Sequence, residues 1–192
     1  MLRSLSLSPR LLARRLARPT LVTAAAAMND VTSQATEFAA AATRVAVVGI
    51  RPNLDERGRD LSTRPAAFVP AALAADGVTI IPIPTAPEAV TYYGSPPLAS
   101  LADLATVPKV DVLVFFRKPS DLPSASEVVS ALQANAAGEA PLPVAWLQSG
   151  IRAPAWEAEL TAAGVPVVAD RCMKVERARA RARGAGGAAG RL

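Results

Sequence analysis

Five short apolar runs, rich in β-branched residues, alternate with helical segments along the middle of the chain. This alternation restricts the fold more than any other feature of the sequence. The predicted strands cover residues 44–50, 78–83, 110–116, 143–150 and 165–170. They are apolar on both faces, which is typical of parallel strands that helices cover on both sides. The sequence therefore predicts a single α/β domain built on a doubly wound, parallel, five-stranded sheet.

The segments between these runs carry helix signals. Predicted helices cover residues 65–77, 98–105, 120–138 and 153–165. Pro65 suits a first helical turn, Gly77 suits a helix end, and Ser120 or Asp121 would cap the third helix. No apolar run approaches the roughly 18–20 residues that a bilayer crossing needs, so no membrane span is predicted.

Both ends of the chain differ in composition from the middle. Residues 1–28 hold five arginines and no acid, with arginines on one helical face and leucines on the other. This pattern predicts an organelle transit peptide, mitochondrial rather than plastid. The alternative is a disordered basic tail that carries no targeting signal. The alanine-rich residues 29–43 are interpreted as a linker, and the Arg/Ala- and Gly-rich residues 177–192 as a disordered basic tail.

The distribution of charge argues against nucleic acid as a partner. The net charge is +5, but residues 29–170 hold nine Lys/Arg against fifteen acids. The folded part is therefore acidic, and aromatic residues make up only 4% of the chain. A nucleic-acid module would combine basic and aromatic residues on its folded surface.

Several kinds of catalytic and metal site are excluded by residue type. The chain has no histidine and one cysteine, so the common zinc sets and the histidine-based triads are absent. Cys172 has basic neighbours that would activate an exposed thiol, but a buried, inert thiol is the favoured interpretation. No catalytic residue and no metal ligand is predicted.

A ligand site is expected where the carboxyl ends of the strands converge. The first strand ends in a single glycine, Gly49, so the G-x-G-x-x-G fingerprint is missing, although one glycine still permits close approach of a phosphate. The next helix would offer its N-terminus to an anion near Arg64. Four arginines in this loop suit an anionic ligand, or they pair with the neighbouring acids; these are Arg51, Arg57, Arg59 and Arg64.

The later strand ends add polar groups to the same edge. Arg117 and Lys118 follow the third strand, while Gln148 and Ser149 follow the fourth. Trp146 is interpreted as core. The charged residues between 170 and 176 are interpreted as a salt-bridged strand end that fixes the C-terminus, with a catalytic trio as the alternative.

An ordered set of motifs resembles a known family. The segments VAVVGIRPN, IIPI, GSPPLASLADL, VDVLVFFRKPSDLP, VAWLQSGI and ADRCMKVE run in order across residues 44–176. Together they resemble the small, single-domain CoA-binding proteins, similar to the CoA-binding domain of the succinyl-CoA synthetase alpha subunit. The resemblance implies a Rossmann-like fold of the NAD(P)-binding superfamily and CoA as the cofactor. The ligand positions that it implies are Gly49, Ile50, Arg51, Asn53, Arg64, Pro84, Thr85, Phe116, Arg117, Lys118, Pro119, Gln148, Gly150 and Ile151.

The chain departs from the family pattern in the first two ligand loops. Arg51 and Ala66 stand where serines are usual, and Pro84-Thr85 replaces an Asn-Pro pair. Three functions follow as hypotheses. The first is a module that binds CoA or acyl-CoA without catalytic machinery. The second is an enzyme that uses CoA or a nicotinamide nucleotide, and the third is a regulatory subunit whose pocket has decayed.

Overall fold

The computed structural model describes residues 34–53, 60–85 and 91–189, with side chains up to residue 183. Five parallel strands form one sheet in the order β2-β1-β3-β4-β5. The strands are β1 Arg44–Ile50, β2 Thr79–Pro84, β3 Val112–Phe115, β4 Val144–Leu147 and β5 Val167–Val168. The predicted doubly wound, five-stranded α/β domain is confirmed, and each strand lies within one or two residues of its predicted start.

Five α-helices surround the sheet in the described residues. They are α1 Ala35–Ala41, α2 Pro65–Ala75, α3 Ala125–Ala136, α4 Pro154–Ala162 and α5 Met173–Ala189. Because neighbouring residues of a strand point to opposite faces, each strand contributes to two separate cores. Val45 and Val47 pack with α1, α2 and α5 on one face. Ala46 and Val48 pack with α3 and α4 on the other.

Two helix predictions between the strands are wrong in detail. The segment predicted as a helix at 98–105 forms a short 3-10 helix at Ala102–Thr106 instead. The helix predicted from residue 120 begins at Ala125 and is capped by Ser124, which exchanges hydrogen bonds with Glu127. Neither Ser120 nor Asp121 is the cap, because Pro119–Asp121 forms a separate 3-10 helix. The Ser-x-x-Glu spacing of a capping box is the better signal here.

The interpretation of residues 29–43 as a linker is wrong for the described part. Ala35–Ala41 forms α1, and the side chains of Ala35, Ala39 and Ala42 are buried. Small side chains let α1 approach α5 closely, so an alanine-rich stretch without an obvious apolar face still builds core. The predicted transit peptide, residues 1–28, lies outside the described residues.

Between Arg177 and Ala189 the chain is helical rather than disordered. Helix α5 continues from Met173 to Ala189. The lack of an apolar face predicted disorder, but arginine and alanine are both strong helix formers, and the alternating Arg/Ala segment is helical. Arg177 itself is a structural residue. One of its guanidinium nitrogens donates to the carbonyls of Ala39 at 2.6 Å and Ala42 at 3.0 Å, while Nε lies 3.5 Å from the Asp76 carboxylate.

Candidate functional site

A cleft of about 530 Å³ lies at the carboxyl edge of the sheet. The chain leaves β1 towards β2 and returns to β3 on the other side of β1, so the loops after β1 and β3 diverge and open a crevice. This volume is typical of small-molecule sites. The lining residues are Gly49, Arg51, Arg64, Pro65, Ala66, Thr85, Phe116, Arg117, Lys118, Pro119, Asp121, Gln148, Ser149, Gly150 and Ile151.

Gly49 brings the exits of two strands into contact. Its φ is +80°, a conformation that other residues adopt only with strain. A Cβ atom at this position would lie 3.0 Å from both the Phe116 carbonyl oxygen and Arg117 Cδ. The space on the Cβ side of Gly49 is therefore occupied by the β3 exit. Gly49 also lines the cleft, and the approach of a phosphate to its backbone stays a prediction.

Positive side chains dominate the cleft. Arg51 follows β1, Arg64 immediately precedes α2, and Arg117 and Lys118 follow β3. Asp121 is the acid among the lining residues, and its backbone carbonyl accepts the Arg117 Nε–H at 3.3 Å. Among the described lining residues four cations face one acid, which favours an anionic ligand, and guanidinium groups suit phosphate oxygens in particular.

Several backbone N–H groups at this edge already have partners within the chain. This matters because an anion site on such a sheet often uses backbone donors. The occupied donors are Arg51 N–H (to Ala66 O, 3.0 Å), Phe116 N–H (to Val48 O, 2.9 Å), Gly150 N–H (to Asp170 Oδ1, 2.7 Å) and Ile151 N–H (to Gln148 O, 3.0 Å). These four N–H groups are therefore not free to bind an anion unless their present hydrogen bonds break.

Gln148 supplies a buried donor at the end of β4. The side chain is only 4% exposed, and its Oε1 accepts the Met173 N–H at 3.4 Å. Its Nε2 has no hydrogen-bond partner among the described residues. A buried, unsatisfied amide N–H costs free energy, and an acceptor on a ligand would remove that cost.

The charged residues after β5 form ion pairs and hydrogen bonds with the rest of the fold, in line with the interpretation as a salt-bridged strand end. Glu176 is buried, accepts a hydrogen bond from Thr36 Oγ1 at 2.7 Å, and pairs with Arg179 at 2.5 Å. Lys174 lies over the Phe68 ring, 5.1 Å from its centroid. Cys172 is partly buried and packs against the core.

The structure brings eleven of the fourteen predicted ligand positions into the cleft. The three others lie outside its lining: Ile50 is buried in the core, Asn53 accepts the Leu61 N–H through its backbone carbonyl, and Pro84 ends β2. Arg57 and Arg59 lie outside the described residues. The lining adds four residues to these eleven: Pro65, Ala66, Asp121 and Ser149. Pro65 and Ala66 begin the helix whose N-terminus was expected to face an anion, and Ser149 follows the fourth strand, so Asp121 is the one that was not expected at this edge. Pro119 was the signal in the sequence that could have identified Asp121, because the turn at Pro119 returns the chain to the cleft.

In the described part of the chain, no three His, Cys, Asp or Glu side chains lie close enough together to hold a metal ion. None of the helices in the described ranges combines the length and the hydropathy that a bilayer crossing requires.

Comparison with known proteins places this architecture in a family. A protein of Thermus thermophilus is 34% identical over 78% of this chain and 98% of its own, with a TM-score of 0.62. A hypothetical protein of Pyrococcus horikoshii OT3 is 24% identical over 79% of this chain and 90% of its own, with a TM-score of 0.56, and supports the fold alone. Among curated proteins, none matches the chain. The family model described as CoA binding domain matches residues 43–178, so the chain belongs to the CoA-binding domain family.

Proposed function

We propose that this protein binds CoA or an acyl-CoA in the cleft at the carboxyl edge of the sheet and acts as a binding module rather than an enzyme. One observation carries the proposal: cations from the β1 and β3 exits and from the start of α2 line the same cleft. CoA carries a pyrophosphate and a 3′-phosphate, so a site for it must supply several positive groups. The buried Gln148 Nε2 adds a donor for an oxygen of the ligand.

The residues of the cleft support binding better than catalysis. Thr85 and Ser149 are the hydroxyl-bearing residues among the described lining residues, and a hydroxyl nucleophile needs a general base close by. In the described part of the lining the only carboxylate is that of Asp121, which accepts a hydrogen bond from the Ser120 hydroxyl at 2.9 Å. A CoA-dependent enzyme and a subunit with a decayed pocket remain the two alternatives that the experiment must separate.

Calorimetric titration with CoA, dephospho-CoA and NAD tests the proposal. Arg51→Ala and Lys118→Ala each remove an exposed cation from the cleft. A charge-assisted hydrogen bond contributes about 1.5–3 kcal/mol. Each variant should therefore bind CoA roughly 10- to 150-fold more weakly. Arg117→Ala should weaken binding as well, but it also removes the contact with Asp121, so its melting temperature must be compared with that of the wild type.

Lys109→Ala is the matched control. Lys109 precedes β3 at the opposite edge of the sheet and pairs with Glu139, so the variant has the same net charge as Lys118→Ala but an intact cleft. Its CoA affinity should match that of the wild type. Absence of heat from wild type with all three ligands would favour the decayed pocket. Tighter binding of NAD than of CoA would mean that this cleft has a different ligand, and turnover abolished by Cys172→Ala would favour the enzyme.

We further propose that residues 1–28 direct import into an organelle, the mitochondrion before the plastid. The acid-free, arginine-rich composition supports this proposal. Because α1 begins at Ala35 and is part of the core, processing should occur between residues 20 and 34. Sequencing of the mature N-terminus tests this, and an intact Met1 on a cytosolic protein would contradict it.

A further inference from the structure

Tyr93 occupies a backbone position that suits few residues. Tyr92 and Ser95 exchange two backbone hydrogen bonds of 2.9 Å and close a tight turn around Tyr93 and Gly94. The φ angles of these two central residues are +51° and +84°. Consecutive positive φ angles define a turn in which Asn-Gly and Gly-Gly are favoured. An aromatic residue here is strained, and such strain points to a role for the side chain.

The Tyr93 ring lies beside the cleft. Its hydroxyl donates to the carbonyl of Ala67 at 3.2 Å, in the first turn of α2. Pro65 and Ala66 of the same turn line the cleft, as does Thr85 after β2. Tyr93 is not itself among the lining residues, but its hydroxyl contacts the helical turn that borders them, and 39% of the residue is exposed. Burial of the remainder raises the pKa of Tyr93, so the hydroxyl stays protonated and able to donate at neutral pH.

We infer that the bound nucleotide extends past the lining of the cleft along the first turn of α2, where its base stacks on the exposed ring of Tyr93, and that this contact gives the site a preference for ligands with an adenosine end. The inference rests on the proposed function. The hydroxyl bond to Ala67 fixes the ring, so little side-chain entropy remains to be lost on binding. The phosphates would lie at Arg51 and Arg64, and the base would lie beyond them, over Tyr93.

Two variants and two ligands test the inference. Tyr93→Asn removes the ring but suits a positive φ, while Tyr93→Phe keeps the ring and loses only the hydroxyl bond. The ligands are CoA and 4′-phosphopantetheine, which lacks the adenosine. Stacking of a base on an aromatic ring contributes about 1–3 kcal/mol. Tyr93→Asn should therefore bind CoA roughly 5- to 150-fold more weakly, with unchanged affinity for phosphopantetheine. Tyr93→Phe should bind CoA within about threefold of wild type, a span of less than 1 kcal/mol.

The outcomes distinguish this inference from the proposed function. If wild type binds neither ligand, the proposed function fails, and the role of Tyr93 fails with it. If wild type binds CoA and Tyr93→Asn binds it equally well, only the inference is overturned. An equal loss for both ligands, together with a lower melting temperature, would make Tyr93 a residue that shapes the loop, which also overturns the inference.

Discussion

The carboxylate of Asp170 accepts the backbone N–H of Gly150 at 2.7 Å and so joins the end of β5 to the loop after β4. Asp170 has a φ of +56°, which is uncommon outside glycine. Three residues of the loop that it holds, Ser149 to Ile151, line the cleft. Asp170 therefore positions one wall of the cleft without lining it.

Replacing Asp170 by alanine should loosen this wall. The variant loses a charged hydrogen bond and keeps an unfavourable φ, so we expect the free energy of unfolding to fall by about 1–3 kcal/mol. Affinity for CoA should fall with it. Asp170→Asn, which tolerates a positive φ and keeps an acceptor oxygen, should lose much less. Chemical denaturation and calorimetry of both variants provide the test, and equal losses would contradict the assigned role.

Gly49→Ala should destabilise the fold more than Gly77→Ala. Both glycines have φ near +80°, so the backbone strain is the same in the two variants, about 1–2 kcal/mol. Only at Gly49 does the added Cβ meet other atoms, at 3.0 Å, while nothing lies within 4 Å at Gly77. The difference between the two free energies of unfolding therefore measures the contact with the β3 exit. No difference would mean that the β3 exit moves aside at no cost.

Gln148→Met should weaken ligand binding while leaving the ligand-free protein nearly as stable. The substitution retains the length of the side chain and removes the unpartnered Nε2 donor, whose burial is unfavourable. It also removes the long hydrogen bond with Met173 N–H. One hydrogen bond contributes about 0.5–1.5 kcal/mol, so CoA should bind roughly 2- to 12-fold more weakly. An unchanged CoA affinity in calorimetry would show that the ligand does not use this amide.

Arg177→Ala should weaken the packing of α1 against α5. The guanidinium, 14% exposed, binds two carbonyls at the end of α1 and lies next to Asp76. Loss of hydrogen bonds from a charged group should lower the free energy of unfolding by about 2 kcal/mol. Arg177→Lys keeps the charge but cannot bind in the same forked geometry, so it should restore little stability. Hydrogen exchange should show α1 losing protection first, and uniform protection would contradict this role.

The hydrogen bonds to the Asp111 carboxylate should make the free energy of unfolding depend on pH. Its partial burial raises the pKa, but hydrogen bonds from Arg44 N–H and from both donors of Thr43 outweigh this and hold the pKa below its ordinary value of 3.8. A lowered pKa in the folded state stabilises the protein above pH 3.8, and this contribution is lost as the pH falls through the lowered pKa. The stability gap between wild type and Asp111→Asn should therefore be constant near pH 7 and should narrow below 3.8. A gap that stays constant in acid would contradict this.

The strands were predictable because their pattern is simple. Short β-branched runs that are apolar on both faces are typical of buried parallel strands, and each of the five predicted runs contains one strand of the sheet. Gly49, Arg117 and Gln148 were identified because parallel strands place their carboxyl ends at one edge. Asp121 was missed because its place in the cleft depends on how the chain turns after Pro119.

The two terminal helices were not predictable in the same way. The buried alanines of α1 do not stand out in a segment that is alanine-rich throughout, and the alternating Arg/Ala residues of α5 show no apolar pattern, so each segment on its own is typical of a linker or a tail. Each helix is stabilised by the other, through small side chains and through Arg177, and a pattern within one segment does not show such a contact.

The hydrogen bond between Thr36 and Glu176 joins residues 140 positions apart. A growing chain leaves the ribosome from its N-terminus, so α1 is made long before α5 and cannot form this bond until α5 has been made. The contacts between these two helices are therefore among the last contacts of this core to form.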